Sequence, residues 1–395
     1  MIEEDKPVHV PTVPGKYDIH GDKSGRFMSK DGSSTIGSED VKSSTDVRDE
    51  LDLKSFADMK LDDDLLDLES FADMKVDEDL LDLESGETTQ EELDKIAASS
   101  TTLRNYKEAR EKAKKKLSDT KMDSKAEELY AEKMREILDH SSPASRFKDE
   151  IFLALITSGK YMNQFEAGSS CGAPCMKSPD GGSRGEASHF MFGTKNMGST
   201  KEEKFKWEKY GLLYDSGDLG SFLLPDGDYP SYGTAAGGEW YGKCTVLWNK
   251  EKLKGRLTYT LSDSLGRGMA AQRIEEVPDQ YTIKESRRRR FTPDSISRLK
   301  NIYDVRRLVD GEDWYVEAQF HVDDFNLVEY ADAITIPYKT LRGYYEDDII
   351  KGIQLAQKKY PNIKFLTRDK RNKIREISVD DSGKVIYGDV RDDYK

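Results

Sequence analysis

The sequence predicts an α+β fold with a mixed sheet in its second half, on three observations. Two runs, Arg256 to Ser264 (RLTYTLSDS) and Tyr315 to His321 (YVEAQFH), alternate polar with apolar or aromatic side chains, the period of two of a half-buried strand. Helical patterns stand around these runs without the regular strand–helix–strand alternation of a doubly wound sheet. Near the C-terminus, IREISVDDSGKVIYG (374–388) reads as a hairpin with DDSG as its turn.

Composition sets the frame for the remaining elements. A chain of 395 residues is long enough for two or three domains. With 36% hydrophobic and 35% charged residues it is too polar to be compact throughout, so a sizeable part is expected to be disordered or thinly packed. The charge is uneven. Between Asp49 and Glu84 fifteen Asp/Glu face three Lys, a balance of −12 out of a total of −14, which leaves −2 for all other residues. A nearly neutral remainder argues against a nucleic-acid binder. Three cysteines (Cys171, Cys175, Cys244) form no disulfide framework and point to a reducing compartment. There is no apolar leader, and no apolar run approaches the ~18–20 residues of a membrane span. The expectation is a soluble, cytoplasmic protein with no membrane association, or one delivered by a specialised secretion or virion route.

Residues 1–48, rich in Ser, Gly, Lys and Asp, carry almost no apolar periodicity and read as a disordered N-terminal segment. Residues 49–86 hold a repeat of period 15: LDLKSFADMKLDDDL (51–65), LDLESFADMKVDEDL (66–80) and a partial third copy, LDLES (81–85). Short acidic repeats with Leu and Phe anchors bury no core alone. They are expected to stay disordered, or to become helical when an unidentified protein partner supplies an apolar groove. Tandem copies would add avidity. The junction LLDLE, at 65–69 and 80–84, resembles the clathrin-box linear motif, but a duplicated acidic linker is the simpler reading.

Residues 100–160 read as helical. Two helices fit Thr102 to His140, the second capped by Ser124. A third would start with Ser142 as N-cap and Pro143 at its first position, stop at Gly159, and carry Phe147, Ile151, Phe152, Leu155 and Ile156 on a strongly apolar face. The basic run Lys112 to Lys116 reads as a solvated helix face. Residues 161–204 read as a Gly/Ser-rich loop, of a length that is usually functional or disordered. Residues 205–395 form the α+β domain. Strands are expected in KYGLLYDS, GEWYGKCTVLWN, GRLTYTLSDS, DWYVEAQF and AITIP, with helices over Asp294 to Leu308 and about Glu346 to Tyr360, before the closing hairpin.

The strand faces carry the chemistry. In the second run Tyr315, Glu317 and Gln319 share one face, and Val316, Ala318 and Phe320 the other. In the first, Arg256, Thr258 and Thr260 share a face. An Arg, two hydroxyls and a Glu on neighbouring strands suit an anionic, ribose-bearing ligand. The bland alternatives are a solvent-facing strand Glu and an edge-strand Arg. Asp263 and Ser264 read as an Asx-type turn organising the backbone beside the site. Cys171 and Cys175 with His189 and His321 lack both the usual C-x2-C spacing and a second cysteine pair, so no metal is expected. The run Tyr214 to Phe222 contains SGDLG, which is no dinucleotide fingerprint. Arg287 to Arg290 read as a solvated basic loop.

The pieces KYG (209–211), SYG (231–233), WYGKCTV (240–246), GRLTYTLSDS (255–264) and YVEAQFH (315–321), in this order, resemble a group of uncharacterised bacterial and phage proteins. That group carries R-x-T-[YF]-T-x-x-D-S and Y-V-E-A-Q-x-H-G and is similar to mono-ADP-ribosyltransferase toxin domains. The resemblance covers roughly residues 205–345. It implies an ADP-ribosyltransferase-like mixed sheet and NAD as substrate, in an effector or phage-associated toxin-like domain that modifies a protein or nucleic acid. Glu317 would be the catalytic carboxylate, with Gln319 and Tyr315 positioning the target or the ring. Arg256 would hold the cofactor phosphates, Thr258 and Thr260 would shape the nicotinamide-ribose face, and Asp263 and Ser264 would border it. Two departures stand out. Val322 occupies the Gly position, and the transferase pattern Q/E-x-E appears reversed, as Glu317-Ala318-Gln319. The alternative is a non-enzymatic interaction or phage structural protein acting through its acidic repeats.

Overall fold

A computed structural model of the chain describes residues 88–391 except 168, 171–172, 175–181, 195–199, 224–236, 239–240, 267, 311–314, 370 and 372. Before residue 88 it describes three two-residue antiparallel strands, Val8–His9, His20–Gly21 and Phe27–Met28. The expectations for residues 49–86, and those strands apart for 1–48, lie outside the described residues. The chain divides into two units, Met1–Glu87 and Thr88–Lys395.

The second unit is an α+β fold built on one ten-stranded mixed sheet. Its strands are β1 (Ser141–Phe147), β2 (Lys209–Asp215), β3 (Cys244–Trp248), β4 (Leu257–Thr260), β5 (Gln272–Arg273), β6 (Glu317–Phe320), β7 (Ala331–Thr335), β8 (Lys364–Arg368), β9 (Ile374–Val379) and β10 (Val385–Val390). They lie in the order β5-β4-β6-β2-β1-β3-β7-β8-β9-β10. Only β7 and β8 pair in parallel, which requires a crossover, and helix α7 (Glu346–Lys359) lies between them in the chain. The closing hairpin has the expected form. Asp380 Oδ1 accepts from the N–H groups of Ser382 and Lys384, and Gly383 takes φ +84°.

Helices α1 (Gln90–Ser99), α2 (Tyr106–Lys116), α3 (Ser124–Asp139), α4 (Phe152–Ser158), α5 (Gly182–Phe192) and α6 (Ile302–Asp310) accompany the sheet. α3 is capped by Asp123, one residue before the expected Ser124. The expected single helix over Asp294 to Leu308 is split into Pro293–Ser297 and α6.

Residues 141–147 are a central strand, not the start of a helix. Ser142-Pro143 imitates an N-cap, but Ala144 and its neighbours are paired on both sides, with β2 and β3. Proline is tolerated there because its partner Leu213 turns its own N–H to the Val316 carbonyl, so the Pro143–Leu213 pair needs no donor. The helix after it, α4, begins only at Phe152 and stops at Gly159, φ +67°.

The two sheet faces differ. One packs aromatic residues: Trp248 and Phe320 lie 4.3 and 5.0 Å from Phe325, ring centroid to centroid. Register places Thr258 and Thr260 (β4), Gln319 and Glu317 (β6), and Tyr210 and Leu212 (β2) in adjacent rows on the opposite face. That polar face is covered by α5, inside the segment expected to be a loop. A small core of Ala97, Leu103, Tyr106, Ala187, Met191 and Phe192 packs α5 against α1 and α2. Among the described residues no helix is long and apolar enough to cross a membrane.

Candidate functional site

Glu317, Gln319, Thr258 and Thr260 are each fully buried and form one hydrogen-bonded unit. Gln319 Nε2 donates to Glu317 Oε1 (3.0 Å) and to Thr260 Oγ1 (3.1 Å), and Thr258 Oγ1 donates to Gln319 Oε1 (2.8 Å). The Ser264 N–H reaches Glu317 Oε1 at 3.4 Å, so the turn after β4 does border the carboxylate. Asp263 Oδ1 accepts from the Leu265 N–H (2.8 Å), as an Asx turn requires. Tyr315 donates its hydroxyl to Glu317 Oε2 (3.3 Å) and meets the Tyr241 hydroxyl at 3.2 Å.

The arginine facing this carboxylate is Arg184, near the start of α5. Its Nη1 lies 3.8 Å from Glu317 Oε2 and donates to Ser264 Oγ (2.7 Å), while its guanidinium stacks 3.8 Å from the Tyr210 ring centroid. Arg256 sits elsewhere. Thr260 pairs with Glu317 and the Arg256 carbonyl accepts from the His321 N–H, so Arg256 lies four residues away along β4, about 14 Å at ~3.4 Å per residue. The structure thus joins Glu317, Gln319, Tyr315, Thr258, Thr260, Asp263 and Ser264 in one region and leaves Arg256 outside it.

Burial pushes the Glu317 carboxyl up to about 7, and Arg184 beside it pulls the other way. Nearby Asp263 adds to the rise, while the hydrogen bonds from Ser264 and Gln319 resist it. A buried carboxyl that changes charge near neutrality can stabilise or exchange a proton with a reacting group. His321, also buried, is held neutral, well below its usual range, by burial and by the positive charges of Arg273, Lys209 and Arg256.

A cleft opens beside this unit. Its lining includes Arg146, Arg184, Glu208, Tyr210, Tyr241 and Tyr315. Glu317 lies behind Arg184 and Tyr315 rather than on the cleft wall. Glu208 Oε1 accepts from Ser188 of α5 and from Tyr210, while its Oε2 accepts no hydrogen bond. Arg184, Ser188 and Phe192 recur every fourth residue, so α5 turns one face to the sheet. Sequence reasoning missed Arg184, Glu208 and Tyr241. The four-residue spacing within 182–192 was the one available signal, and it was masked by the surrounding Gly and Ser.

Cys171 and Cys175 lie outside the described residues. His189 Nδ1 meets Thr194 Oγ1 at 2.6 Å, and both ring nitrogens of His321 hold threonine hydroxyls. Among the described residues no group of three or more His, Cys, Asp or Glu is arranged to hold a metal. No family model and no curated protein matches this chain.

Proposed function

We propose that this protein is an NAD-dependent mono-ADP-ribosyltransferase with an ADP-ribosyltransferase-like sheet, in which Glu317 is the catalytic carboxylate. One observation carries the reading. A buried, protonatable Glu, hydrogen-bonded to Gln319 on the same strand face, stands behind a cleft walled by arginines and tyrosines. In ADP-ribosyl transfer the bond between nicotinamide and ribose C1′ breaks and positive charge develops on the ribose. A preorganised carboxylate stabilises that charge.

The assignments follow the chemistry of the lining. Arg184, in place of Arg256, would pair with the phosphates through its planar fork. Tyr241 and Tyr315 offer ring faces and hydroxyls to the nicotinamide ribose. Glu208 Oε2, with no donor of its own, would accept a ribose hydroxyl. Drawing Arg184 onto phosphate would turn it away from Glu317 and open the carboxylate to the reacting carbon.

Titration calorimetry with NAD tests the binding half of this reading. Wild-type protein is expected to bind NAD, and Arg184→Ala to weaken binding about tenfold or more, the loss of one charge-assisted contact. Absence of NAD binding by the wild type would overturn the proposal and favour an interaction protein acting through residues 51–85.

A further inference from the structure

The hydrogen bonds around Gln319 admit one consistent set of proton positions. Thr260 Oγ1 donates its single proton to the Ser262 carbonyl (2.8 Å), so toward Gln319 it can only accept. The Gln319 amide nitrogen must therefore face Thr260 and Glu317, with Oε1 turned to Thr258. Oε1 needs a donor, and the Thr258 hydroxyl is the one beside it. Once that proton is committed, Thr258 can only accept from His321 Nε2, 2.8 Å away. His321 Nδ1 is then bare and accepts from the Thr102 hydroxyl at 2.7 Å. The Phe192 ring of α5 meets the imidazole edge-on, with ring centroids 4.6 Å apart.

We infer that His321, held as its Nε2–H tautomer by Thr102, is a positioning residue that acts through Thr258 and Gln319 to aim an amide donor at Glu317. Every link runs in one direction, from the Thr102 hydroxyl to the carboxylate, and every member is buried. A protonated His321 would break the chain at Nδ1. The cations Arg273, Lys209 and Arg256 around it, together with burial, oppose that proton. At the other end Arg184, Asp263, Tyr315 and Ser264 also act on Glu317. The inference rests on Glu317 as the reacting group but is independent of NAD as substrate.

Two NMR measurements on the full-length protein test it. With ¹⁵N-labelled histidine, His321 is expected to show a protonated Nε2 and a bare Nδ1 that persist from pH 8 to pH 5.5. A protonated Nδ1, or a ring that titrates near pH 6.5, would overturn the inference. The second measurement follows the Glu317 carboxyl carbon against pH in Thr258→Val and Thr258→Ser. Valine keeps the shape and removes the hydroxyl, so Gln319 loses its anchor. The Glu317 midpoint should rise by about one pH unit, the size expected for losing a donor to a charged group. Serine should return the midpoint close to the wild-type value. An unmoved midpoint in Thr258→Val, or an equal rise in Thr258→Ser, contradicts the chain. Neither readout depends on turnover, so failure of the NAD reading would remain distinguishable from failure of this one.

Discussion

Burial of Glu317 has a consequence for stability that can be signed. Its carboxyl titrates at about 7 in the folded protein, against roughly 4.3 in an unfolded chain. The folded state therefore binds the extra proton between these values. Stability from this group is fully present below about pH 4.3 and is lost as pH rises through 7, by on the order of 3 kcal/mol. Glu317→Gln removes the titration. The stability of this variant relative to wild type should thus grow by most of that amount between pH 5 and pH 8 in urea denaturation. A constant difference would show that Glu317 ionises as an ordinary surface carboxylate. His321 acts in the opposite sense in both proteins. It is neutral when folded, so its contribution is present above about pH 6.5 and is lost as pH falls below it. At the same scale the two arginines separate. Arg256→Ala is expected to leave NAD affinity within about twofold, while Arg184→Ala weakens it, and a reversed order would return the phosphate role to Arg256.

At the level of elements, β2 depends on having no side chain at Gly211. A Cβ there would run into the Ala144 carbonyl oxygen of β1, the Phe320 ring of β6 and the Ser145 hydroxyl. Alanine in a strand usually outperforms glycine, yet Gly211→Ala should destabilise by roughly 1–3 kcal/mol through overpacking. Denaturation midpoints measure this, and a gain in stability would mean that the strands separate more easily than their pairing implies. The strands that alternate cleanly, β4 and β6, and the DDSG hairpin were readable in the sequence because their period and turn residues are set locally. Glu317, Gln319, Thr258 and Thr260 were readable for the same reason, since parity alone places them on one face. β1 was not, because Ser142-Pro143 reproduces a local helix-start signal that only long-range pairing overrides. Nor was α5. It covers a polar sheet face, so its inward residues are Arg184, Ser188 and Phe192 rather than an apolar stripe.

In the whole molecule the acidity is concentrated in one stretch of sequence. The stretch Asp49 to Glu84 carries −12 of the net charge, while among the described residues the buried hydrophobic clusters are built from residues after 88. Removal of Met1–Glu87 is accordingly expected to shift the melting temperature of the remainder by less than about 2 °C in calorimetry. A larger drop would show that the first unit contributes to the stability of the second. The proposed site, in contrast, draws on distant parts of the second unit, since Arg184, Tyr241, Ser264 and Glu317 come from α5, the segment before β3, the turn after β4, and β6. Nicotinamide release from NAD, followed against pH with and without candidate targets, probes that convergence directly. Wild-type kcat/KM should rise with pH through a midpoint near 7 as Glu317 ionises, and Glu317→Gln should lower it by about 10²–10³ while remaining folded. Wild-type protein that releases no nicotinamide, or a Glu317→Gln variant that releases it as fast as wild type, would contradict the assignment.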